Sequence, residues 1–356
     1  MKQLKQQTLI AILLVVSIFA SCKKDARTDP EPETPTAVRK GLYVLCEGLF
    51  NANNATLSYY NYDDRKLELD KFSSVNGRGL GDTGNDIKVY GSKMYIVVNV
   101  SSTLEIVNPQ TGASIKKIDL KDNGVGRQPR FVTFNKNKAF ISNYDGTVAV
   151  LDTASLAIEQ YIKVGRNPEQ MAVSNGKLYV ANSGSMDYPN YDNTVSVVDL
   201  NSLKEIKKIT VAENPVGLAA DAYGDVYVLS TGNYADVKSS MSTIDSKTDV
   251  VKTSIPFSGG SMVISGDLAY IPASGGKVKV FNVKTETLET ENFITDGTKV
   301  TTTYGLAVDD LNAEIFVADA KNYTTSGEVF CFDKDGKKKY SIMVGLNPNN
   351  MVFINK

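Results

Sequence analysis

Past residue 40 the chain switches repeatedly between short apolar runs and polar breaks rich in Asn, Asp and Gly. The clearest stretch covers residues 164–199. It opens on Gly165-Arg-Asn-Pro168 and runs through the apolar Met171-Ala-Val173 to a turn at Asn175-Gly176. Leu178-Tyr-Val-Ala-Asn182 follows, then a loop, then the alternating Thr194-Val-Ser-Val-Val-Asp199. Runs this short, with period-two alternation and turn residues at their ends, predict strands rather than helices. The phrase recurs, and its most apolar run falls at residues 42–45, 94–98, 139–142, 178–181, 226–229, 268–271 and 314–318. A period of about 45 residues built only of strands predicts propeller blades. The expected fold is therefore all-β, a seven-bladed β-propeller over residues 41–356.

Labelling the strands of a blade A to D from the ring centre outward, the first copy has no A strand, because the chain enters it at B. The last copy is followed by an unmatched A-like phrase, Gly345-Leu-Asn-Pro348 through Met351-Val-Phe-Ile354. The economical arrangement lets this C-terminal strand complete blade one, so that no sheet edge stays open.

The pattern also separates two ends of the ring. A–B and C–D breaks are tight turns, as at residues 174–177, 265–267 and 108–112. B–C and D–A breaks carry the long insertions: 47–54, 183–192, 231–238 and 320–326, with 73–84, 121–129 and 293–302. These hold aromatics among Asn, Ser and Gly, a composition suited to contact surfaces. The expected ligand-binding residues on this face are Phe50, Asn53, Arg127, Tyr144, Asn182, Tyr188, Tyr191, Asn233, Tyr234 and Tyr323. Arg78 and Arg130 lie in the same D–A set, and Asn99 and Asn143 end their B strands at the same rim. The Gly-Arg-x-Pro openings at Arg127 and Arg166 read equally as entries to strand A or as ligand contacts.

Composition then narrows the chemistry. The formal net charge is −1 and no basic stripe runs through the repeats, which argues against nucleic acid as a partner. There is no His, so a Ser-His-Asp triad, a His metal ligand and an imidazole base are all excluded. Asp82-Thr-Gly-Asn-Asp86 reads as a capping turn or as a cation loop lacking the EF-hand spacing. Glu47, Asp187, Asp192 and Asp319 place carboxylates on the loop end, but no catalytic or metal site is expected. Cys46 and Cys331 sit in apolar strands and read either as buried thiols or as a disulfide between adjacent blades.

Residues 1–21 read as a signal peptide: Lys2 and Lys5, an apolar stretch from Leu9 to Ala20, then Ser21. Phe19-Ala20-Ser21-Cys22 resembles a bacterial lipobox, which implies lipidation of Cys22. Residues 22–40, rich in Pro and charge, are expected to form a tether.

The repeat phrase Gly-x-x-Pro, Leu178-Tyr-Val-Ala-Asn182, Val195-Ser-Val-Val-Asp199 resembles that of the YVTN-type, YncE-like propellers. Tyr43-Val-Leu-Cys-Glu-Gly48, Ala55-Thr-Leu-Ser-Tyr-Tyr-Asn61 and Gly79-Leu-Gly-Asp-Thr-Gly-Asn-Asp86 are similar to the propeller surface lipoproteins of Bacteroidetes, the group of the vitamin B12-binding BtuG. That resemblance implies a monomeric, non-enzymatic lipoprotein anchored in the outer membrane and exposed at the cell surface. Its ligand would be a corrinoid (cobalamin), handed to a TonB-dependent transporter, with no cofactor required. A glycan-binding surface lipoprotein is the alternative, and a propeller lyase or hydrolase a third reading.

Overall fold

The computed structural model describes residues 37–356. The expected signal peptide, Cys22 and most of the tether lie outside the described residues. The propeller begins slightly before residue 41: strand B of blade one runs Arg39–Cys46, and Arg39 is pinned by a 2.7 Å ion pair to Asp309 of blade seven.

Seven four-stranded antiparallel sheets make the ring. Blade four shows the pattern, with A at Pro168–Ser174, B at Lys177–Asn182, C at Thr194–Asp199 and D at Lys204–Thr210. Its B strand is buried along almost its whole length, whereas its D strand is mostly exposed. The cause is position: an inner strand is covered on both faces by neighbouring blades, and an outer strand only on one. The core is correspondingly segmented, as in the cluster where Tyr179 and Val197 of blade four meet Leu218 and Val228 of blade five.

The C-terminal strand Pro348–Asn355 pairs antiparallel with Arg39–Cys46 and completes blade one, as the repeat arithmetic requires. Cys46 and Cys331 are both free thiols in the core between blades seven and one. Burial raises the Cys46 thiol to about 11 and the Cys331 thiol to about 12. Two D–A insertions expected as loops contain structure. Residues 73–84 begin inside a short helix, Lys71–Asn76, capped by the Asp70 carboxylate and ended by Gly77 at φ 64°. Residues 121–129 hold a small hairpin, Lys121–Asp122 against Val125–Gly126. Both were hidden from periodicity by their length.

The innermost strands carry a feature that the pattern does not show. In six blades the A strand opens with a break in register against B. Asn349, Asn85, Arg130 with Phe131, Glu169 with Gln170, Val216 and Tyr304 each fall in that break. A bulge leaves its extra residue unpaired and re-aims the side chain. Here it happens at one height around the ring, where the channel opens toward the long loops.

Candidate functional site

A cavity of about 960 Å³ occupies this mouth, and all seven A strands or their approaches contribute to it. One arc is charged and hydrogen-bonded, built from Glu47, Asn85, Asp86, Arg130 and Glu169. The opposite arc is smooth, formed by small residues at 258–261 and 273–276. There blades five and six approach closely: a Cβ on Gly217 would stand 2.7 Å from the Gly260 carbonyl oxygen. Only glycine allows that contact.

The charged arc is laced from blade to blade. Asn350 Nδ2 donates to Asp86 Oδ1 at 2.9 Å, and Asp86 Oδ2 accepts from the Val132 amide at 2.9 Å. Asn85 is bonded to the Arg130 side chain and main chain. Arg130 Nε donates to Glu169 Oε2 at 2.9 Å, and Tyr144 donates to Glu169 Oε1 at 2.6 Å. Gln170 Oε1 then accepts the Leu218 amide at 3.0 Å. The Arg130 guanidinium also lies 4.8 Å from the Tyr144 ring centroid, a cation–π distance. At the other end of this arc, Tyr304 of blade seven donates to Glu47 Oε2 at 2.5 Å.

Burial works against the Arg130 charge, but the adjacent Glu169 carboxylate outweighs it, so the guanidinium is held more firmly protonated than usual. Burial raises Tyr144, and raises Tyr304 with help from the Glu47 charge, so both stay neutral donors. Burial also pushes the Glu47 carboxyl above its usual value, against the Tyr304 hydrogen bond and the Arg130 charge. Asp86 is raised by burial as well.

Above the mouth stands the rim of B–C loops. Tyr188, Tyr191 and Tyr234 form an edge-to-face row across blades four and five, with centroids 6.0 and 6.1 Å apart. Tyr188 and Tyr234 are 74% and 73% exposed. Tyr323 packs edge-on against Tyr304 at 5.6 Å, joining rim to mouth. Tyr234 and Tyr323 both line the cavity, and both hold positive φ, 60° and 66°. Such a backbone is uncommon for a bulky residue and costs of order 1 kcal/mol. In each loop the preceding Asn sustains it: Asn233 Oδ1 accepts the Ala235 and Val237 amides, and Asn322 Oδ1 accepts those of Thr324 and Thr325.

The expected residues therefore divide. Tyr234 and Tyr323 line the cavity, Tyr188 and Tyr191 extend the row, and Tyr144 supports the mouth from behind. Phe50 is exposed at its own loop tip, and the nearby Asn53 amide is held by Asp82. Asn182 is not on the surface: it is fully buried, donating to Thr194 and Ser196 and accepting from the Gly165 amide. Asn233 serves its own loop, as above. Asn99 and Asn143 are buried and bonded to backbone, like Asn182. Arg127 is tied to Asp122 and Asp145 over the Tyr161 ring. Arg78 is paired with Glu105, and Arg166 with Asp187. Asp82 caps the Asn51 and Asn53 amides. Glu169, Tyr304 and Asn349 were missed. A usable signal was present, since Arg130, Glu169, Val216 and Asn349 each directly follow the proline that opens an A strand.

The family described as a domain of unknown function, DUF5074, has a model that matches residues 40–353. Among curated proteins, none matches the chain. Among solved structures, the chain is similar to a quinoprotein alcohol dehydrogenase-like protein of Bacteroides thetaiotaomicron, at 19% identity and TM-score 0.67, over 89% of this chain and 79% of that one. It is also similar to hydrazine synthase of Kuenenia stuttgartiensis, at 15% identity and TM-score 0.59, over 75% and 93%. A computationally designed protein, Ika8, matches at 13% identity and TM-score 0.57, over 89% and 92%. Identities this low carry the fold alone.

Proposed function

The chain belongs to the DUF5074 family, and from that premise we propose that it is a ligand-binding propeller whose ligand lies across the B–C/D–A face. The observation that carries this is the coincidence of two features at one end of the ring. A cavity of about 960 Å³ opens there, and an exposed row of tyrosines overhangs it. Tyr188 and Tyr234 leave most of their surface in water with little packing of their own. Features that cost free energy without stabilising the fold point to function.

The ligand class proposed is a corrinoid: broad, flat, apolar on its faces and fringed with amides. Rim tyrosines supply contact area against the flat body, and mouth groups meet the polar fringe. The setting proposed, on the resemblance of its leader and repeats, is a lipid-anchored protein of the outer membrane that passes its ligand to a transporter. Each mouth carboxylate already accepts a hydrogen bond from the ring through at least one oxygen, so binding is favoured over turnover. A glycan is the second reading, favoured by the same tyrosine row, since sugars also stack on aromatic rings.

Calorimetric titration of residues 37–356 with cyanocobalamin tests the proposal. One-to-one binding that weakens in Tyr188→Ala and Tyr234→Ala supports it. Heat from a polysaccharide panel and none from cyanocobalamin replaces the corrinoid with a glycan, and heat from neither removes the reading.

A further inference from the structure

The mouth contains an acceptor and a donor that the protein itself leaves unused, both lining one cavity. Arg130 commits Nε to Glu169 and Nη1 to Asn85, and Nη2 has no hydrogen-bond partner among the described residues. Glu47 commits Oε2 to Tyr304, and Oε1 has none. Both side chains line the cavity, and blade two links them, since the Gly84 amide donates to the Glu47 carbonyl and the next residue, Asn85, accepts from Arg130. Neither is free to turn away. Arg130 is clamped by Glu169, Asn85 and the Tyr144 ring, and Glu47 follows a strand end whose next amide groups bond to blade seven and to residue 347. Mouth groups of this kind are pre-organised, so little ordering cost remains on binding.

From this we infer that Glu47 and Arg130 form a fork that recognises a neutral primary carboxamide, the amide oxygen accepting from Arg130 Nη2 and the amide N–H donating to Glu47 Oε1. The fork rests on the binding-protein reading above and names the chemistry that its mouth selects. Charge decides the class. A carboxylate placed there would satisfy Arg130 but stand against Glu47, with Asp86 and Glu169 on the same arc. An ammonium would suit Glu47 and be repelled by Arg130, with Lys88 deeper in the channel. A primary amide supplies both an acceptor and a donor and brings no net charge to desolvate. Hydrogen bonds to charged partners in such a setting are worth roughly ten- to a hundredfold in affinity each.

The test compares cyanocobalamin with its monocarboxylic acids, in each of which one peripheral amide is hydrolysed to a carboxylate. Wild-type protein should bind one of these acids at least roughly tenfold more weakly than the parent. Glu47→Gln should abolish that difference, because the glutamine amide can donate to the new carboxylate. Equal binding of every acid and the parent by wild type, or a preference that survives in Glu47→Gln, overturns the fork and leaves the corrinoid reading standing. Should cyanocobalamin fail to bind, the corrinoid reading falls and the fork is tested alone. Saturation-transfer NMR with acetamide, acetate and glycine, at millimolar concentration, should then show acetamide preferred by wild type and acetate admitted only by Glu47→Gln. Acetate or glycine preferred by wild type overturns it. Matching thermal melts of the two proteins show that the substitution leaves the ring intact.

Discussion

The mouth and the rim lie within a few side chains of each other and are built on opposite principles. Mouth residues come from the openings of the innermost strands, with Glu47 added from the end of strand B, and each reaches a neighbouring blade: Asn350 to Asp86, Arg130 to Glu169, Gln170 to the Leu218 amide, Glu47 to Tyr304. Rim residues come from loops that satisfy themselves. Asn233 and Asn322 turn their own loops; Tyr234 meets the Tyr191 ring and the Thr231 hydroxyl, and Tyr323 leans on Tyr304 of the mouth. A group wired into the ring fixes the chemistry of the site and couples it to stability. A group on a self-contained loop supplies contact area and is free to vary. Stability effects should therefore concentrate at the mouth, while the rim should move affinity alone.

The largest effect removes the frame that both regions share. Deleting residues 347–356 takes away the strand that pairs with Arg39–Cys46, together with Asn349 and Asn350 of the mouth. Blade one loses its inner strand, and the ring gains an open edge. Circular dichroism should show no cooperative thermal transition in the truncated protein; an unchanged transition would refute closure by this strand.

The comparison itself is broken or kept by the next pair. Glu169→Ala strands the guanidinium of Arg130, 21% exposed, without its ion-pair partner. Breaking a buried pair from one side costs about 3 kcal/mol. Tyr188→Ala removes an exposed ring and should alter stability by no more than about 0.5 kcal/mol. Chemical denaturation of the two variants measures both, and equal losses would mean that the rim is as deeply wired as the mouth.

This difference also explains what could be read from the sequence. Blade count, the B runs and the closing strand were legible because burial on both faces forces a continuous apolar run, and a run like Leu178-Tyr-Val-Ala-Asn182 recurs in every blade. The rim tyrosines were legible because a long polar loop with an aromatic departs from turn chemistry. Asn182 and Asn233 turn out to serve the fold for one reason: an Asn at a strand end or loop start looks like a free donor, whereas its side-chain oxygen is taken by local backbone N–H groups. Glu169 and Tyr304 were invisible because a bulge changes where a residue points without changing its identity. Only the proline before Glu169 hinted at it.

At the rim, affinity sharpens the contrast. Tyr188→Ala and Tyr234→Ala should each weaken cyanocobalamin binding by about 1 kcal/mol, close to fivefold, by calorimetry. Tyr191 touches both rings, so the double substitution should depart from additivity. Perfect additivity would mean that the row does not act as one surface.

The smallest effect concerns Glu47, and its sign follows from burial. The folded protein holds the Glu47 carboxyl above its ordinary value, because burial disfavours the charged form more than Tyr304 and Arg130 favour it. A carboxyl raised on folding binds its proton more tightly in the native state than in the unfolded one. Its contribution to stability is therefore fully present below the unfolded value, roughly pH 4.3, and is lost as pH rises through the folded value. Asp86 is raised by burial in the same direction, but it is present in both proteins and cancels from their difference. Glu47→Gln carries no charge to bury, so its melting temperature relative to wild type should be highest near neutrality and should fall as the pH is lowered toward 4. Melting curves across that range measure the difference directly. A difference that grows on acidification would mean that Tyr304 and Arg130 stabilise the Glu47 carboxylate by more than burial costs it, and that the mouth holds this acid as firmly ionised as it holds Arg130.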